Sequence, residues 1–370
     1  MQTIYTTQAA NDGQSIASTT AAFIDKLRRK GLLTIVLPDK ELDFAKGNTI
    51  QLLQLLKSVG RTDLSLGRIY EGHINALLLI HLHGNTEQKQ RWYADAENGH
   101  LFGVWNTEAA NGVAWHLQND ESFSGSGQKT FGSGAGLVSR ALVTGRIAEG
   151  DRKGWQMSII NADCLPESSV DYDSWHPMGM QSSLSYTVDF SGYRASQHDL
   201  LGAPDIYYKQ PYFGGGAIRF CAVQLGGAEA LFNETVAYLK SLNRTDDVYQ
   251  NIRLGEMAME LTSGNNWLLQ AAQHWDAWVD KETKSMQLVA YINLARTAVE
   301  RICLRVIELS AKCIGARGLM QSYRMEHILR DLQFYLRQPA PDAVLNSAAQ
   351  YVIQSNQTIE SIWNDIDIIN

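Results

Sequence analysis

Apolar residues recur with a helical period at both ends of the chain and with a shorter, broken period in the middle. Ser18 offers a cap before Phe23, Ile24 and Leu27, and Gly31 follows as a stop, which predicts a first helix. Ile50, Leu52, Leu53, Leu55 and Leu56 predict a second over Thr49 to Ser58, with Gly60 ending it. Tyr70 to His83 is apolar nearly all round and predicts a buried helix. Thr86 to Glu97 predicts an amphipathic helix with Glu87, Gln88, Lys89 and Arg91 outward and Trp92 and Tyr93 inward.

From Leu101 to about Tyr208 the apolar stretches shorten, turn residues recur, and runs such as ALVTGR and SYTVDF suit strands. Beyond Tyr212 three long helical patterns follow, in GAIRFCAVQLGGAEALFNETVAYLKSL, NIRLGEMAMELTSGNNWLLQAAQHWDAWV and VAYINLARTAVERICLRVIELSAKCIG. Such lengths belong to a bundle. Ala222, Gly226, Gly227, Ala228 and Ala295 on their apolar faces would let helices approach closely. The expected fold is α+β, with a helical region 1–102, a β-barrel region 103–210 and a helical bundle 211–370.

One segment of the middle region stands out. Gly125 to Arg146 reads GSGQKTFGSGAGLVSRALVTGR, and Lys129 to Ala135 is expected at a turn between strands. Gly132, Gly134 and Gly136 would let the backbone approach something flat, while Phe131 offers a ring and Ser133 a hydroxyl. An ordinary hairpin loop reads the same way.

Composition narrows the function classes. A net charge of −7 gives no basic footprint for nucleic acid or an anionic membrane. Cys164, Cys221, Cys303 and Cys313 lack paired spacing, as expected of reduced thiols rather than a zinc site. The polar stretch MQTIYTTQAANDGQS shows no signal-peptide pattern, and no apolar run has bilayer-spanning length. The expectation is a soluble cytoplasmic protein without a metal. His81 and His83 on one helix would point to different faces.

The order of the motifs resembles the acyl-CoA dehydrogenase superfamily over about Phe23 to Asp342. Trp105-Asn106-Thr107-Glu108-Ala109 resembles the family's "TEP" segment, and Gly127 to Ser133 its "GxKxWIT" turn. Gly179-Met-Gln-Ser-Ser with SYTVDF is similar to its "GxRxS" strand pair, Ile314 to Gly318 to "FGGxG", and Arg330-Asp331 to "RD". The resemblance implies a helical domain, a β domain, a four-helix bundle, and FAD held at a subunit interface. The ring would meet Val104, Asn106, Thr107, Phe131, Gly132 and Ser133. The pyrophosphate and adenine would meet Arg244, Gln250, Lys312, Gly315 and Ala316, partly from a neighbouring subunit of a homodimer or homotetramer. Gly112-Val113 replaces the family's "GSD", so the phosphate-binding hydroxyl is missing and FMN becomes the alternative cofactor.

The resemblance breaks at the base. Dehydrogenation of an acyl-CoA needs a carboxylate to take the α-proton. Counting from Asp331 to the family's Glu position reaches Pro339, and the other known position, before Arg219, holds Ile218. Asp342 is the nearby candidate base, with a helix-start role as its alternative; Glu108 matches a structural residue of the family. The turn KTFGSGA is closer to the family's dibenzothiophene monooxygenase-type branch, in which reduced flavin comes from a separate reductase and reacts with O2. That branch often carries His where this chain has Gln338, which can donate a hydrogen bond but shuttles no proton at neutral pH. Ser133, Gln338 and Asp342 are therefore the candidate catalytic residues. Three readings stand. The first is an FAD oxidoreductase acting on an acyl-CoA or acyl-like substrate, with an electron-transfer flavoprotein or reductase as partner. The others are a two-component monooxygenase and a non-catalytic relative.

Overall fold

The computed structural model describes residues 13–321, 323–337, 340–359 and 361–363. They form two compact units, Met1–Asn48 with Ser65–Lys209, and Thr49–Leu64 with Gln210–Asn370. In the first unit, helix α1 spans Gly13–Arg29; in the second, α2 spans Thr49–Thr62. Helices α3 (Leu64–His83) and α4 (Thr86–Glu97) follow. The α4 boundaries match the pattern because a capping box fixes its start: Asn85 accepts from the Gln88 amide at 2.8 Å, and Gln88 accepts in return from the Asn85 amide at 3.1 Å. Gln88 was expected outward. It is buried, because its amide also donates to the His198 and Leu200 carbonyls.

The strands are β1 (Phe102–Trp105), β2 (Ala114–Leu117), β3 (Phe123–Ser126), β4 (Gln128–Gly132), β5 (Arg140–Ile147), β6 (Gly154–Asn161), β7 (Val170–Asp171), β8 (Tyr186–Asp189), β9 (Arg194–Ala195) and β10 (Leu200–Leu201). One sheet runs β10-β6-β5-β2-β3-β9, with β1 also paired to β5; the other runs β4-β8-β7. Strand β6 pairs along all of β5. The other edge of β5 is shared, its start by β1 and its end by β2, both parallel. The chain thus leaves this edge after Trp105 and rejoins it at Ala114, and the excursion between carries Asn106, Thr107, Glu108 and Gly112.

His73 fastens α3 to this unit from inside. It is fully buried, accepts from the Phe102 amide at Nδ1 (3.0 Å), and lies 2.8 Å from the Leu33 carbonyl at Nε2. These partners demand a neutral ring with its proton on Nε2.

The second unit continues with α5 (Tyr212–Gly215), α6 (Ala217–Ser241), α7 (Val248–Trp278), α8 (Ser285–Gly318), α9 (Arg324–Tyr335) and α10 (Pro341–Gln354). Gly60 does not end α2, which continues to Thr62. It is the point where α6 crosses: a Cβ there would lie 2.3 Å from the Val223 carbonyl oxygen, and one on Gly226 would lie 2.1 Å from that of Lys57. The small residues of α6 thus receive α2, as their close-approach pattern suggested. Glu229 closes the contact by binding Lys57, Arg61 and Asn265. The fold is α+β, with helices, then a sheet region, then helices. No helix among the described residues is long and apolar enough to cross a membrane.

Two consequences are measurable. Gly226→Ala would force α2 from α6 and cost about 1–3 kcal/mol or more by urea unfolding. Burial lowers the His73 pKa to about 4, so as pH falls from about 6.5 to 4 the unfolded chain takes a proton that the folded chain refuses, and stability falls. Between pH 7 and pH 5 the protein should lose roughly 2 kcal/mol more than a His73→Gln variant, which lacks this titration.

Candidate functional site

Lys129 organises the residues expected to meet a flavin ring. Strand β4 carries it into the interior, where it is fully buried. Its ammonium donates to Glu108 Oε1 (2.7 Å), the Asn106 carbonyl (3.1 Å) and Thr144 Oγ1 (3.1 Å), and lies 4.9 Å from the Trp155 ring centre. Burial lowers its pKa, and Glu108 opposes the shift. Glu108 Oε1 also accepts from the Val113 amide at 3.0 Å, and Thr144 donates to Asn106 Oδ1 at 2.7 Å. Two backbone bonds lay the excursion along β4: the Thr130 amide to the Thr107 carbonyl and the Gln128 amide to the Asn111 carbonyl, both 2.9 Å. Asn106 and Thr107 are therefore held beside Phe131 by a buried charge. Gly112 has an internal reason too, since a Cβ there would meet Glu108 Oε2 at 2.2 Å.

The segment from Lys129 to Ala135 is half strand, half turn, rather than turn throughout. The β4–β8 register shifts between Lys129 and Gly132, and Phe131 takes a left-handed φ of 55°. Its ring is 54% exposed and meets Trp175 edge-on at 5.6 Å. A non-glycine residue held there costs about 1–3 kcal/mol, a strain that clusters at functional sites. The neighbouring glycines answer to their own chain. A Cβ on Gly132 would sit 3.0 Å from the Tyr186 carbonyl oxygen, and one on Gly134, whose φ is 76°, 3.0 Å from Val138.

Ser133 follows directly. Its carbonyl accepts from Trp105 Nε1 at 3.1 Å, and its hydroxyl lies 2.9 Å from that of Ser185, itself 2.8 Å from that of Ser183. Val104 lies on β1, its amide nitrogen 3.9 Å from where a Gly72 Cβ would lie on α3. The sequence reading placed Ser183 and Ser185 in a family-like strand pair but gave them no site role, and it missed Trp175. It also missed a polar set on α3, where buried Glu71 binds Arg68 and Asn75. Arg68, Glu71 and Asn75 recur at helical spacing on an otherwise apolar helix, and that pattern was the available signal. A cleft of about 310 Å³ is bounded by Trp105, Gly136, Val138, Leu165 and Tyr172.

The residues expected at the phosphate end are on the second unit. Asp247 pairs with Arg244 at 3.3 Å and caps α7 through the Tyr249 amide. Gln250 is buried and accepts from Arg253 at 3.4 Å. Burial raises the Cys313 pKa, while the charges of Arg253 and Arg244 pull it down. Gly315 breaks α8 with φ 59° and ψ −172°, and Ala316 is exposed. Lys312 is exposed and pairs with Glu308. Arg253 is thus a cation that the sequence reading left out.

Asp342 is exposed in the first turn of α10, where a carboxylate favours the helix start. Ile218 is buried on α6. Gln338 and Pro339 lie outside the described residues.

The comparisons with known proteins fit this architecture. The family model for the acyl-CoA dehydrogenase N-terminal domain matches residues 6–100, and that for the acyl-CoA dehydrogenase C-terminal domain matches residues 218–336. The chain belongs to the acyl-CoA dehydrogenase superfamily. It is 24% identical to dibenzothiophene monooxygenase of Mycolicibacterium goodii over 367 residues, covering 90% of this chain and 88% of that protein. It is 24% identical to mitochondrial isobutyryl-CoA dehydrogenase of Dictyostelium discoideum over 313 residues, 79% of this chain and 72% of that one. Among solved structures, TdsC from Paenibacillus sp. A11-2, in complex with FMN and indole, superposes with a TM-score of 0.81 at 19% identity, covering 95% of this chain and 98% of its own. At that identity the likeness establishes the fold.

The role of the buried ammonium can be tested directly. Lys129→Met leaves Glu108 without its cation and should cost about 3 kcal/mol in urea unfolding. Faster proteolytic cleavage within 106–113 should accompany the loss.

Proposed function

We propose that this superfamily member is a flavin-dependent oxidoreductase that works as a two-component monooxygenase. The observation that carries the choice is Ile218: one of the two positions where dehydrogenases of this fold keep a base is here a buried aliphatic side chain. The sequence has proline at the other, Pro339. The dibenzothiophene monooxygenase relative supports the same choice.

The first unit's residues suit a flavin ring. An exposed aromatic side chain in a left-handed conformation, Phe131, stands beside the Ser133 hydroxyl and the clamped Asn106-Thr107 backbone. Phe131 would back the ring, Ser133, Asn106 and Thr107 would hydrogen-bond its edge, and Val104 would close an apolar side. Arg244, Gln250, Gly315 and Ala316, with Arg253 and Lys312, would serve the phosphate end, partly from a neighbouring subunit of a homo-oligomer. FMN is favoured by the missing hydroxyl at Gly112-Val113 and by the FMN in TdsC; FAD is what the family resemblance implies. When bound, reduced flavin supplies two electrons to O2, so that one oxygen atom enters the substrate and the other leaves as water. The protein's share is to hold the ring, exclude water and present donors, which requires no carboxylate base.

Dehydrogenation of an acyl-CoA is the second reading, favoured by the isobutyryl-CoA dehydrogenase relative. Asp342 would be its relocated base, reached from an exposed position.

One experiment separates the two. Purified protein is given FMN or FAD, NADH and a flavin reductase under 18O2, with indole and dibenzothiophene as probe substrates. The monooxygenase reading expects one 18O atom in the product and no reaction without the reductase. Anaerobic bleaching of bound flavin by isobutyryl-CoA, with no oxygenated product, would reverse the choice. Phe131→Ala should raise the flavin Kd roughly 10-fold by removing the aromatic contact.

A further inference from the structure

Three serine hydroxyls form a chain, Ser183–Ser185–Ser133, with successive oxygens 2.8 and 2.9 Å apart. Ser183 is 1% exposed and Ser185 5%. Ser185 is the hydrogen-bond partner of the Ser183 hydroxyl. A chain running inward would leave the Ser183 proton buried without an acceptor, at a cost comparable to a lost hydrogen bond. Run outward, Ser183 donates to Ser185 and Ser185 donates to Ser133. The remaining alternative for the Ser185 proton is the Ser183 carbonyl at 3.5 Å, at the edge of hydrogen-bond range. Once Ser133 accepts from Ser185, its own proton is directed to whatever occupies the site.

The backbone is arranged around this chain at a cost. Phe131, Met180 and Leu184 all take left-handed φ values, of 55°, 62° and 47°. Met180 and Leu184 bracket the short 3-10 turn that carries Ser183. The Gly134 amide donates to the Ser183 carbonyl at 2.8 Å and the Ala135 amide to the Leu184 carbonyl at 3.2 Å, locking that turn against the Ser133 segment. Strain at three non-glycine residues around one hydroxyl chain persists only where the surroundings over-determine it.

We propose that Ser185 is a positioning residue that makes Ser133 an obligate outward hydrogen-bond donor, so that the site prefers a ligand in the form that accepts there. The proposal rests on the flavin reading above and deepens it. The central-ring nitrogen at the reactive edge of a flavin accepts a hydrogen bond when oxidised and carries a hydrogen when reduced. An outward donor therefore holds the oxidised form more tightly. The arrangement would slow the release of spent flavin and so make its exchange for fresh reduced flavin a controlled step.

The test is a double-mutant cycle read by binding. Kd values for oxidised and, anaerobically, dithionite-reduced FMN and FAD are measured by fluorescence and absorbance titration. The proteins are the wild type, Ser133→Ala, Ser185→Ala and the double variant. Ser185→Ala should weaken oxidised flavin roughly 3- to 10-fold, leave the reduced form within about 2-fold, and add nothing in the Ser133→Ala background. Ser185→Cys, nearly the same volume with a weak donor, should shift affinity the same way and covers the case in which Ser185→Ala does not fold. Equal weakening of both redox forms, or a loss that persists without the Ser133 hydroxyl, would mean that Ser185 merely packs and would overturn the proposal while the flavin reading stood. Wild-type protein that binds neither flavin would overturn both.

Discussion

A lysine ammonium taken fully out of water is the constraint on which the first unit turns. Such a group is tolerable only if its donors are all used and an opposite charge is close. Lys129 meets that demand with Glu108, the Asn106 carbonyl and Thr144. In doing so it recruits three separate pieces of chain, namely the excursion from the β5 edge, strand β5 itself and strand β4. A buried charge is a poor source of net stability, but it is a strict specifier of geometry. One hydrogen-bonding solution places Asn106 and Thr107 where the strained Phe131 and the Ser133 hydroxyl can act with them.

The glycines show how one residue type answers to different demands. Gly60 and Gly226 let two helix backbones touch, Gly112 gives room to a carboxylate, and Gly315 supplies a backbone angle that breaks a helix while its surroundings stay open. The Gly-rich turn suggested space for a ligand. Gly132 and Gly134 make space for Tyr186 and Val138, and the exposed feature of the turn is Phe131.

Much of the fold was legible because helical periodicity is written locally. The bounds of α4 could be read from its amphipathic pattern over Thr86 to Glu97, and the helix–strand–helix order from the change of period. What escaped were features set by partners distant in sequence. Gly60 looked like a stop because nothing near it in the chain reveals Val223. Gln88 looked like a surface residue because its acceptors are His198 and Leu200. The ring-side candidates were legible as a family pattern. Ser183 and Ser185 stood in the family-like GMQSS and SYTVDF stretches, but their contact with the Ser133 hydroxyl was not legible, because a hydroxyl chain leaves no period in a sequence. The Arg68-Glu71-Asn75 set did leave a trace, a polar line on an apolar helix.

The placement of α2 bears on how the chain is made. Residues 49–64 belong with residues that begin at Gln210. A helix emerging early in synthesis must wait for well over a hundred further residues before its partner exists, and meanwhile its leucines stay uncovered. Contacts of such long sequence separation close slowly, and apolar surface waiting in this way invites association or chaperone binding. The first unit, by contrast, has all its strands once Lys209 has been made. Maturation of this protein therefore has a natural order, with the sheet region formed first and α2 drawn into the second unit only when α6 arrives.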